Sequence, residues 1–422
     1  MSDTRQRLAN TELVDRILPR FLKYVKVWTT SDRHIADTPS TPNQWELAKA
    51  LEAELRAVGL SDVALTDHCY VLARLPATSG YEQAPVIGFM AHVDTASDVT
   101  GKDVKPIVTA DYGCRPIPLA EGRVLDPAEY PDLLKREGDT IISSDGTTLL
   151  GADDKAGVAE ILAAVEHLIE HPEIPHGPIE VLLTPDEETG KGLPEFPRDW
   201  LTASACYTID GGPVGELEAE CFTAYKVDVA FSGAVIHIGA ARGKLANAVS
   251  MASHFVCMLP RSESPESTDG YYGYYCPMEI KGELEKANVE LYLRDFDAAA
   301  MERRLAALEA FARATEAQFP GGKVEVKPTV QYYNMKRKLD QNPRVLDLLM
   351  EAAKATGTDP YFKPIRGGTD GSRLTEMGIP TPNVFTGGHN YHSRYEWAGL
   401  AEMVAATETI IELIRLWAKE RP

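Results

Sequence analysis

The first strong signal along the chain is helical. Val14, Ile17, Leu18, Phe21, Leu22 and Val25 recur at three- and four-residue spacing, the stripe of an amphipathic helix. A second helix is predicted from Thr41. Thr41 reads as its cap, Pro42 as its first residue, Gln44 as the partner of a capping box, and Gly59 as its end. Strand and helix signals then alternate. Pro85–Met90 and Ile179–Thr184 read as buried strands, Cys206–Ile209 as a short one, and residues 155–171 as an amphipathic helix. This alternation predicts a three-layer α/β domain around a buried sheet.

The pattern changes near Tyr225. Val227, Val229 and Phe231 alternate, residues 245–259 read as a helix, and strands follow near 278–284 and 288–294. A helix over 297–319 and a strand over 323–330 complete the order β-α-β-β-α-β, a ferredoxin-like split motif. The predicted layout is an α/β domain in two parts, 1–221 and 333–422, with a second domain at 222–332 inserted between them. The tail from Tyr333 supplies a helix starting at Pro343, a glycine-rich stretch and a final amphipathic helix.

Composition narrows the function. The 422 residues carry 63 Asp+Glu against 43 Lys+Arg, a net charge of −20. Such a balance disfavours broad nucleic-acid binding, which needs phosphate neutralisation. The six cysteines are scattered with no C-x-x-C pair, so reduced thiols rather than a disulfide framework are expected. The first residues lack an apolar signal core, and no apolar run approaches a membrane span. The expectation is a soluble cytoplasmic protein with no membrane or nucleic-acid partner.

Candidate chemistry gathers at predicted strand ends, where α/β folds place their sites. His92 and Asp94 follow the strand PVIGFM, Asp153 and Asp154 open the 155–171 helix, Asp186-Glu187-Glu188 follow IEVLLT, and Asp210 precedes two glycines. His389 and His392 share a late glycine-rich loop. Each piece alone fits a polar loop, a helix cap or a solvated acidic turn. Together they form a thiolate-free His/Asp/Glu set, the ligand chemistry of a hydrolytic zinc or manganese site.

The stretches GFMAHVDT, LLGADDKAG, TPDEETGKG, YTIDGG, ANAVS, RDFD, YYNM, PIRGGTDGSRL and FTGGHNYH resemble the peptidase T family. These are tripeptide aminopeptidases within a superfamily of co-catalytic dizinc peptidases and aminoacylases that share an inserted ferredoxin-like lid. The resemblance implies a zinc-dependent aminopeptidase, or else a related dipeptidase or N-acyl amino acid amidohydrolase, acting on short peptides. It implies two zinc ions, one held by His92, Asp153 and Asp210 and the other by Asp153, Glu188 and His392. It makes Asp94 the residue that orients His92, Glu187 the general base and His237 of the lid an oxyanion donor. It implies a cis bond between Asp153 and Asp154, and substrate contacts from Arg294, Arg366 and Asn247. An edge of the lid sheet would serve for pairing into a homodimer. The family pattern is broken at Ile238, where a proline is expected, and at Ser393, where a glycine is expected. His389 stands as a rival ligand to His392.

Overall fold

The computed structural model describes residues 3–420. The chain divides into two compact units. The first holds the chain through Ala219, Arg337–Lys363 and the part from Thr369 onward; the second holds Glu220–Lys336 and Pro364–Gly368.

The first unit is built on an eight-stranded mixed sheet. Its spatial order is Ser61–Leu65, Val71–Leu75, Ile179–Thr184, Ile87–His92, Ala205–Gly211, Asn383–Phe385, Glu216–Glu218 and Tyr361–Phe362. The four strands from Ile179–Thr184 to Asn383–Phe385 run parallel. Every residue of IGFMAH and IEVLLT is buried, which is why these strands are largely apolar and show no alternation. Alternate side chains enter different cores. Phe89, Ala91, Val181 and Leu183 join a large cluster with the helices Thr11–Tyr24, Gln44–Val58, Ala152–Glu170, Pro343–Ala355 and Leu400–Trp417. Met90, Leu182 and Cys206 point the other way, toward Leu193, Phe196 and Leu374. The sheet is therefore covered on both faces, giving the three layers expected.

Two expectations need correction. The second helix starts at Gln44, with Asn43 before it, and the capping box is not formed. Thr41 Oγ1 donates instead to the Thr30 carbonyl at 2.8 Å, and Gln44 Nε2 donates to Asp186 Oδ1 at 2.7 Å. Gly59 ends the helix as expected, in the left-handed region at φ 104°. The helix predicted over 155–171 begins at Ala152, with non-helical backbone at Asp153 and Asp154 and a cis bond between them. The sequence reading also had no place for the antiparallel strands Ser61–Leu65 and Val71–Leu75. It likewise missed the small sheet of Gly388–His389, Trp397–Gly399, Ile141–Ser144 and Pro106–Thr109.

The second unit has strands Thr223–Ser232, Tyr274–Gly282, Lys286–Asp295 and Lys323–Tyr332, with helices Ala248–Cys257 and Ala298–Gln318 in the order β-α-β-β-α-β. All neighbouring strands are antiparallel. Val227, Val229, Phe231, Val289, Leu291 and Leu293 pack against Met251, Phe255, Met301 and Leu308 of the two helices. The proposed insert, 222–332, lies inside this unit. Pro364–Gly368 adds to it, where Ile365 N donates to the Glu220 carbonyl at 2.8 Å.

Candidate metal centre

The parallel strands deliver the site. His92 is the last residue of Ile87–His92, Asp210 lies one residue before the end of Ala205–Gly211, and Glu187 and Glu188 form a short turn after Ile179–Thr184. Asp186 sits in the left-handed region at φ 58°. It is held there by Ser40 N at 2.6 Å and by the Gln44 amide, so the next two carboxylates leave the strand in a fixed direction.

Asp153 is the hub. Its Oδ1 lies 2.9 Å from His92 Nε2, and its Oδ2 lies 3.2 Å from His392 Nε2. His92 Nε2 is also 3.5 Å from Asp210 Oδ1, and His392 Nε2 is 3.0 Å from Glu188 Oε2. Two sets result, His92–Asp153–Asp210 and Asp153–Glu188–His392, each with its donor atoms within 4.8 Å of one another. Asp153 belongs to both. His389 goes elsewhere: its Nε2 meets Glu402 Oε2 at 2.8 Å, and its ring stacks on Trp397.

The electrostatics suit a cation pair. Burial, reinforced by the charge of Asp153, pushes the Glu188 carboxyl up to about 8. Burial also lifts Asp210 to about 6 and Glu187 well above the usual carboxylate range. Glu188 Oε1 is buried and has no hydrogen-bond partner. Crowded, desolvated carboxylates with an orphaned oxygen are costly unless a positive charge joins them. Imidazole and carboxylate donors without thiolate fit two divalent ions.

Asp94 is fully buried behind these residues. Its carboxylate lies 3.3 Å from His92 Nδ1 and accepts the backbone N–H groups of Glu187 at 3.0 Å and Glu188 at 3.3 Å. It therefore ties the imidazole to both glutamates.

Glu396 went unnoticed in the sequence. Its Oε2 accepts from Leu150 N at 2.7 Å and Gly151 N at 2.9 Å, and its Oε1 accepts from Ala152 N at 2.6 Å and Asp153 N at 3.2 Å. These are the otherwise unpaired amides of a helix N-terminus, where a negative charge is favoured. The only available signal was a lone acid four residues after His392.

The remaining candidates lie in the second unit. His237 is exposed at the start of a single turn, Ile238–Ala240, and its Nδ1 accepts from Gly239 N at 3.2 Å. Asn247 caps helix Ala248–Cys257, accepting from Val249 N at 2.9 Å. Arg294 is buried between the rings of Tyr292 and Tyr332 and donates to the Leu293 carbonyl at 2.9 Å. Arg366 donates to the carbonyls of Thr268, Gly270 and Tyr272 and lies over Phe222.

The model of peptidase family M20/M25/M40 matches residues 146–416. Peptidase T of Geobacillus sp. (strain WCH70) is 44% identical over 408 residues, spanning 96% of this chain and 99% of its own. Peptidase T of Listeria monocytogenes serotype 4b (strain CLIP80459) matches at the same identity and the same coverage of both chains. Among solved structures, the aminopeptidase PepT from Bacillus cereus ATCC 10987 superposes with a TM-score of 0.74 at 25% identity, covering 96% of this chain and 99% of that one. The Bacillus subtilis YXEP protein, a dinuclear metal binding peptidase, shares the fold with a TM-score of 0.65 at 14% identity, covering 96% of this chain and 99% of its own.

Proposed function

The chain belongs to peptidase family M20/M25/M40, among its peptidase T relatives, and we propose that it is a dizinc aminopeptidase that releases the N-terminal residue from tripeptides. It is a hydrolase of peptide bonds. The observation that carries the fuller reading is the pair of donor sets meeting at Asp153.

In this reading His92, Asp153 and Asp210 hold one ion, and Asp153, Glu188 and His392 hold the other. When bound, such ions supply Lewis acidity to a water and to the scissile carbonyl. Glu187 is the proton carrier. As the carboxylate it takes a proton from the attacking water and passes it to the leaving amine. Asp94 keeps Glu187 and His92 in register through the two amides and the ring nitrogen. His237 of the lid is assigned the oxyanion, and Arg294, Arg366 and Asn247 the substrate side. Arg366 donates to Thr268, Gly270 and Tyr272 of its own unit, and through them it shapes the substrate side.

Among the described residues no helix is long and apolar enough to cross a membrane. The six cysteines are free, which supports a reducing cytoplasm as the working compartment. A homodimer is part of the same reading, through the edge strand Tyr274–Gly282 with its exposed Met278 and Ile280.

The test is cleavage of tri-alanine, di-alanine and N-acetyl-alanine by zinc-loaded enzyme. Release of alanine from the tripeptide, well ahead of the other two, is expected. Preferential hydrolysis of the acetylated substrate or of the dipeptide would move the chain to another branch of the superfamily.

A further inference from the structure

Helix Ala152–Glu170 presents Asp153 at one end and His167 at the other, with His171 as its C-cap. The two imidazoles are four residues apart, so they share a face, and their ring centroids are 4.2 Å apart. Glu12, in the first turn of helix Thr11–Tyr24, reaches both with one oxygen. Its Oε1 is 2.7 Å from His167 Nδ1 and 3.0 Å from His171 Nε2. The three donor atoms lie within 4.8 Å of one another. None of them belongs to the active-site sets.

Two features go beyond an ordinary ion pair. First, the outer nitrogen of His171 is engaged, with Nδ1 at 3.0 Å from Glu173 Oε1. A carboxylate on the second ring nitrogen is what fixes the tautomer and direction of a ligating imidazole. Second, without a cation the single Glu12 oxygen must be fed by a proton from each ring. One divalent ion replaces both protons and satisfies all three donors. A tetrahedral ion with bonds near 2.0–2.1 Å separates its ligands by about 3.3 Å. A small retreat of Glu12, whose side chain is 40% exposed, opens that space. Arg16 also touches Glu12, at 3.3 Å, but it is held more closely by Glu166 at 2.7 Å and Glu170 at 2.5 Å. It need not follow Glu12.

We propose that Glu12, His167 and His171 form a third divalent transition-metal site, of the imidazole–carboxylate class that takes Zn2+, Ni2+ or Cu2+. Water fills its remaining positions. The ion clips helix Thr11–Tyr24 to the far end of the helix that carries Asp153, and its role is structural.

The experiment counts Zn2+ bound per chain by equilibrium dialysis at pH 8, in wild type, in the His167→Ala/His171→Ala double variant and in Glu12→Gln. Wild type should bind one ion more than the double variant, while tripeptide turnover is the same in both. Excess Zn2+ should raise the Tm of wild type by about 5 °C more than that of the double variant, which gains only from the active-site ions. Glu12→Gln should weaken the extra ion without touching the fold, as circular dichroism will report. Equal ion counts in wild type and double variant, whatever the number, would overturn the site. Because the comparison is a difference, it stands or falls separately from the active-site count.

Discussion

Glu396 Oε1 accepts a hydrogen bond from the backbone N–H of Asp153 at 3.2 Å, although 243 residues separate the two in the chain. The same carboxylate takes the three preceding amides. The segment that brings in His392 is thereby stapled to the loop that brings in Asp153, so two of the three members of the second donor set are held together.

Glu396→Ala strands four buried donors. We expect a loss of about 2–4 kcal/mol in denaturant unfolding, with reduced metal retention. Glu396→Gln, which keeps one carbonyl acceptor, should recover part of both. An alanine variant with unaltered stability and metal content would show that the staple is dispensable.

Glu187→Gln keeps the size of the side chain and loses the proton acceptor. Turnover should fall by about 10²–10⁴-fold, with metal content retained. A metal-replete variant that still turns over near the wild-type rate would remove Glu187 from the proposed role.

His237→Ala should leave metal binding intact and lower tripeptide turnover by about 10²-fold, the scale of a lost oxyanion donor. Full activity would mean that Ile238, in place of proline, marks a loop serving some other purpose.

Gly157 faces strand Ala205–Gly211 at closest approach. A Cβ there would lie 1.8 Å from the Ile209 carbonyl oxygen and 2.6 Å from Asp154 Oδ1. Alanine is the better helix former by about 0.8–1.0 kcal/mol, yet the contact forces helix and strand apart next to Asp210. Gly157→Ala should therefore be net destabilising by about 1–3 kcal/mol, read as a lower urea midpoint. An unchanged or higher midpoint would show that the two elements separate freely.

Chelation should abolish turnover and lower the Tm, since it leaves the desolvated carboxylates around Asp153 without a counter-charge. Added Zn2+ should restore both. Activity that survives exhaustive chelation would rule out the dimetal reading.

The sequence made the middle of the sheet legible, because parallel strands covered on both faces are largely apolar. Ile87–His92 and Ile179–Thr184 are such strands, and the chemistry sits just beyond their ends. Ser61–Leu65 was not legible: with one buried residue among five, it carries no alternation to detect. Gln44 shows how a local motif is overridden. Its spacing from Thr41 suits a capping box, and its amide does donate to Thr41 Oγ1 at 3.1 Å, but the helix starts at Gln44 itself, the Thr41 hydroxyl turns to the Thr30 carbonyl, and the same amide donates to the buried Asp186 carboxylate at 2.7 Å. Glu396 left no local trace at all, since its partners are backbone amides from the other half of the chain. Arg294 and Arg366 were named from the family resemblance and their charge, and the sequence could not reveal the carbonyls and aromatic rings that surround each guanidinium.

The distribution of the proposed ligands along the chain also sets a timetable. His92, Asp153 and Asp210 have all been translated once residue 210 is made, whereas the other set waits for His392. At the usual pace of synthesis that interval is about 10–40 s. A nascent chain thus carries the three donors of one set well before it carries those of the other.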